Sequence, residues 1–125
     1  MDFISRHIYF QLVQHLNKPE ITLLLGPRQA GKTTLIKKLQ EELEQKNQPT
    51  LFLNLDIIED RHFFTSQHTL LDFIEKKVGK KSYVFIDEIS RLENAGLFLK
   101  GLYDLGSKHK FVVTGSGSLE LRDEI

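Results

Sequence analysis

The sequence contains no cysteine. That absence excludes disulfides and thiolate metal sites, and it suits a reducing cytoplasm, which is the expected location. Excess charge is missing too: 17 lysines and arginines balance 17 aspartates and glutamates. No overall field therefore draws the chain to DNA, RNA or an anionic membrane, although a local basic patch is compatible with this balance. Long apolar runs are also lacking. None approaches the roughly 20 residues that cross a bilayer. Asp2, Arg6 and His7 interrupt the first ten residues, so these do not read as a signal peptide.

What is present is ordinary globular composition, 40% apolar and 27% charged over 125 residues, enough for one domain. Ile8, Leu12 and Leu16 are spaced as on one face of a helix over Phe3 to Leu16, ended by Lys18-Pro19. Ile21 to Leu25 is a short apolar run, the signature of a strand buried on both faces. A glycine-bounded loop, Gly26 to Thr33, leads into a helix over Thr33 to Lys46 with Leu35, Ile36, Leu39 and Leu43 in register. Thr50 to Leu55, Tyr83 to Ile86 and Phe111 to Val113 are further strands. Leu70 to Val78 and Leu97 to Leu105 are further helices, and residues 56–67 are less regular. Strands alternating with helices predict an α/β fold, a parallel sheet with helices on both faces.

Gly26-Pro27-Arg28-Gln29-Ala30-Gly31-Lys32-Thr33 matches G-x-x-x-x-G-K-[ST] at every fixed position, between a strand and a helix. Glycines let the backbone approach a phosphate, successive N–H groups hold its oxygens, and the helix adds its positive end. Lys32 is expected to reach the β- and γ-phosphates, and the Thr33 hydroxyl to ligate Mg²⁺. The bland alternative is a glycine turn with an exposed lysine. Arg28 and Gln29 occupy variable positions and receive no catalytic role.

Val84-Phe85-Ile86-Asp87-Glu88 is an apolar strand ending in two carboxylates, and such an end faces the ligand crevice of an open α/β sheet. Asp87 is placed to hold Mg²⁺, and Glu88 to polarise the water that attacks the γ-phosphate. Alone, such a pair is usually just solvated. Thr114, ending the fourth strand, is a candidate for hydrogen-bonding the γ-phosphate or the water, with Ser116 a weaker one. Asn54 either holds Glu88 or simply closes its strand. The five histidines lack close metal-ligand spacing. Lys76-Lys77 and Lys80-Lys81 read as a solvated helix end before a nucleic-acid site, and Arg91 and Arg122 are candidate arginine fingers toward a neighbouring subunit.

Together, residues 26–35 (with Thr34 among the loop's phosphate contacts), Val84 to Ile89 and Val113 to Ser118 resemble a prokaryotic family of AAA+-type P-loop ATPases. In that family an N-terminal ATPase domain often precedes a separate C-terminal domain. The resemblance extends to Asn54-Leu55-Asp56 and Leu97 to Asp104. It implies ATP with Mg²⁺, a catalytic set of Lys32, Glu88 and Thr114 (the last at the sensor-1 position), and a fourth strand lying between the loop strand and the acidic strand. Against the family pattern, the chain reads as a partial domain over residues 1–125: an N-terminal helix over 1–20 and a nucleotide-binding core over 21–125, cut after the fourth strand. The loop strand is then expected at a sheet edge, to be completed by a further domain, a partner chain or a second copy. Three functions stay open: an ATPase, a nucleotide-dependent binding module with little hydrolysis, and a P-loop kinase.

Overall fold

The computed structural model describes residues 3–27, 31–117 and 120–122. Helix α1 (Phe3–His15) precedes strand β1 (Thr22–Leu25), helix α2 (Lys32–Gln45) and strand β2 (Thr50–Asn54). A short helix α3 (Ile58–Arg61) and a 3₁₀ turn (His62–Thr65) lead to α4 (Gln67–Val78) and β3 (Tyr83–Asp87). A second 3₁₀ turn (Ile89–Arg91), helix α5 (Ala95–Asp104), strand β4 (Lys110–Gly115) and strand β5 (Glu120–Arg122) complete the order.

The sheet runs β2-β3-β4-β1-β5. The first four strands are parallel, and β4 lies between β3 and β1, as the family resemblance implies. The expected exposed edge on the loop strand is corrected here. β5 pairs antiparallel with β1, Leu24 opposite Leu121, so the sheet does not stop at its fourth strand. The reason is local: β5 offers its backbone to the free side of β1, which answers the demand of an apolar strand for a partner.

Alternation along each strand splits the core in two. Val84 and Ile86 of β3 join Leu23, Val113, Leu70, Ile74, Leu99 and Leu102 on the α4–α5 face. Phe85 joins Leu24, Val112, Leu12, Leu35, Ile36 and Leu39 on the α1–α2 face. With both faces covered, the strands read as continuous apolar runs rather than alternating ones. On the second face, Tyr9 of α1 donates its hydroxyl to Glu42 of α2. Burial and the Glu42 charge together push the tyrosine's pKa up. Helix α4 is capped by Ser66, whose hydroxyl accepts the Thr69 N–H at 3.0 Å, within the stretch whose sequence looked irregular. No helix among the described residues is long and apolar enough to cross a membrane.

Phe85 is fully buried midway along β3, between β2 and β4. Phe85→Ala is expected to lower the unfolding free energy by about 3–5 kcal/mol through lost burial and the cavity left behind. Urea titration should show this as a lower midpoint, whereas Leu97→Ala, at a position 71% exposed, should stay within about 0.5 kcal/mol of the parent.

Candidate nucleotide-binding site

Parallel strands aim their carboxyl ends at one rim of the sheet, and the chemistry-bearing residues collect there. β1 ends at Leu25 and passes into the loop through Gly26, whose N–H donates to the Gly115 carbonyl at the end of β4 at 3.1 Å. Gly115 sits in a tight site. A Cβ there would lie 3.1 Å from both Ile89 Cγ2 and Leu25 Cδ2, so the loop's first residue rests directly on the neighbouring strand. Residues 28–30 lie outside the described residues, and with them the expected contacts of Arg28, Gln29 and Ala30.

Helix α2 starts from Gly31 at φ +80°, a left-handed conformation that disfavours any residue with a Cβ. Nothing lies within 4 Å of where that Cβ would be, so the demand is conformational, not one of space. The first bond of the helix is Leu35 N–H to Gly31 O at 3.0 Å. The amides of Lys32, Thr33 and Thr34 lie in the first turn, the part of a helix whose N–H groups lack intrahelical acceptors and suit an anion. The Thr34 side chain is exposed. Lys32 is 97% buried, since its exposure is 3%. Its ammonium donates to the carbonyls of Gly26 at 2.5 Å and Pro27 at 2.9 Å, which offset the cost of a buried charge.

Asp87 is the hub. Its Oδ2 accepts the Thr33 hydroxyl at 2.7 Å, and its Oδ1 accepts the Thr114 hydroxyl at 2.5 Å. The Thr114 oxygen in turn accepts the Glu88 N–H at 3.0 Å. Both carboxylates and Thr114 are buried. The proton of Thr114 is thus held by Asp87, so a contact from this hydroxyl to a phosphate requires it to leave that carboxylate. Glu88 adopts φ +62°, ψ +51°, an uncommon backbone for a residue with a side chain, held in place by the Thr114 bond. Its side chain lines a cavity of about 140 Å³ with Ser90, Arg91 and Ser116.

Two of the weaker sequence candidates are otherwise engaged. Asn54 Oδ1 accepts the Asp56 N–H at 2.9 Å, closing a local turn after β2, so its side chain serves its own loop and not Glu88. Arg91 donates to Asp56 Oδ1 at 2.7 Å in an exposed ion pair. The side chain of Arg122 lies outside the described atoms. Sequence reasoning missed Ser90, whose hydroxyl accepts the Ser116 N–H at 2.8 Å and ties the turn after β3 to the end of β4. A lone serine after an acidic pair carries no spacing signal that would have found it.

A loop entering a helix at the carboxyl rim of a parallel sheet, facing an acidic strand end, defines the three-layer α/β fold of P-loop type. A family model described as an AAA domain matches residues 18–125, and the chain belongs to that family. It is accordingly a nucleotide-binding module of the ATPase type. No curated protein matches the sequence.

Thr114→Val should remove the bond to Asp87 and leave the buried Glu88 N–H without an acceptor, a cost of about 1–3 kcal/mol. Thr114→Ser should recover most of it. Chemical denaturation reads the energy, and faster amide exchange at Glu88 in the valine variant alone would locate it.

Proposed function

We propose that this chain binds ATP with Mg²⁺ at the junction of the Gly26–Thr33 loop and the β3 end, and hydrolyses the γ-phosphate. The observation that carries this reading is the 2.7 Å bond from Thr33 to Asp87, which joins the loop to the acidic strand end. In this reading residues 21–125 form the nucleotide-binding core, with residues 1–20 packed against it.

A hydroxyl and a carboxylate are the hard oxygen donors that Mg²⁺ takes. At metal–oxygen distances of about 2.0–2.1 Å, adjacent octahedral ligands lie about 2.9 Å apart, close to the spacing of these two oxygens. Thr33 and Asp87 are the residues that would hold the ion, which when bound offsets negative charge on the phosphoryl oxygens. Gly26, Pro27, Arg28, Gln29, Ala30 and Gly31 supply the loop around the phosphates, and the first amides of α2, through Thr34, supply donors. Lys32 places its ammonium against the β- and γ-phosphates, where charge builds as the bond to the leaving oxygen breaks. Glu88 orients the attacking water from the small cavity that its side chain lines. Thr114 holds Asp87 and the Glu88 backbone in place, and contacts the phosphate or water only on releasing its proton from Asp87.

Lys32→Ala should weaken ATP binding by about 10- to 100-fold, the worth of a charged hydrogen bond. A full-strength Lys32→Ala in a binding titration with and without Mg²⁺ would overturn the site. Glu88→Gln should keep ATP affinity and lower steady-state phosphate release by about 10²- to 10⁴-fold. Equal background rates for parent and variant, with binding intact, would instead identify a nucleotide-dependent binding module. Transfer of phosphate to an added acceptor in place of water would identify a kinase.

A further inference from the structure

A sizeable cavity of the described structure lies away from the loop. It opens at the opposite rim, among the amino ends of the parallel strands, with a volume of about 460 Å³. Four of its lining residues are lysines (Lys18, Lys81, Lys108 and Lys110), and no aspartate or glutamate lines it. Its other walls include Ser82, Tyr83 and His109. A solvated helix end explains lysines on a surface, but not four of them lining one concave cavity that has no acidic wall residue.

His109 is 94% buried, its exposure being 6%. One ring nitrogen, Nδ1, lies 2.8 Å from the Ser82 hydroxyl, while Nε2 is buried without a hydrogen-bond partner. Burial lowers the imidazole's pKa, opposed by the Glu75 charge from α4, so the ring is neutral near pH 7. The direction of the Ser82–His109 bond follows the ring's tautomer, and Nε2 itself is buried away from solvent. Lys110 is held by the Glu20 carbonyl and by Thr22 Oγ1 at 2.8 Å, so it supplies fixed charge to the wall. Lys81 and Lys108 are exposed at the rim and can close on an incoming group. Tyr83 adds a partly buried aromatic side chain beside them.

We infer that this cavity is a second ligand site, taking a phosphate-bearing small molecule of about mononucleotide size at the end of the sheet remote from the loop. Its volume falls within the roughly 300–1,000 Å³ of small-molecule sites. The phosphate meets Lys81 and Lys108 beside the His109 ring, and a planar group can rest against Tyr83 and Pro49.

The test uses AMP as probe, titrated into the Lys32→Ala chain so that the loop site is already weakened. The substitution is remote from the cavity, so the outcome does not depend on the reading of the loop. Saturable binding is expected, with a shift of the His109 ring resonances. Adding Lys81→Glu and Lys108→Glu should weaken binding about 10-fold or more, since each removes a charge-assisted contact. Adenosine, which lacks the phosphate, should bind far more weakly than AMP. Unmoved His109 resonances, or AMP affinity indifferent to the lysine reversals, would overturn the site. Reversals that lower thermal stability with binding intact would show that these lysines only offset the helix carbonyl ends. A single-stranded oligonucleotide binding much more tightly than AMP would replace the small-molecule site with a polynucleotide surface.

Discussion

Asp87 accepts two hydroxyl protons, one on each carboxylate oxygen, from Thr33 and Thr114. These three residues come from the first turn of α2 and from the ends of β3 and β4, segments far apart in the chain. A buried carboxylate left without donors would carry a heavy desolvation cost. That cost makes the arrangement of loop and strand ends nearly all-or-none, because each hydroxyl is in place only when its own element is packed. The Glu88 backbone, fastened to the Thr114 oxygen, inherits its position from the same pair of bonds.

The interior explains how side chains so short can be aimed this well. β3 has Val84 and Ile86 on one face and Phe85 on the other, both packed, so neither the strand's register nor its rotation has slack. β4 is buried along its whole length. The rim residues are therefore the last positions of rigid rods, and the chemistry sits where apolar packing ends and polar partners begin. The helices on the two faces contribute little chemistry apart from the start of α2, but they fix the depth at which the strand ends emerge.

Much of this was legible in the sequence, and for identifiable reasons. The four parallel strands announced themselves as apolar runs because both of their faces are covered. The loop was legible because its fixed positions match a phosphate-binding spacing between a strand and a helix, and Gly31 there takes the left-handed backbone that glycine favours. The cap of α4 at Ser66 was hidden because its stretch mixes a 3₁₀ turn with polar residues. β5 is three residues long, too short for any alternation to register. Pairings such as Ser90 with Ser116 and Arg91 with Asp56 were illegible in principle, since nothing in one segment names its partner in another.

The antiparallel return of β5 has a further consequence for how this sheet can grow. With neighbours on both sides, β1 offers no open ladder, so a strand from elsewhere could not dock beside the loop without first displacing a piece of the same chain. β2 is the outermost parallel strand, on the flank away from β1. Any lateral extension on that flank would meet Thr50–Asn54, two strands removed from the loop strand's own neighbour β4. Assembly on that side and nucleotide binding at the loop would then be mechanically separate, linked only through the stiffness of the strands between them.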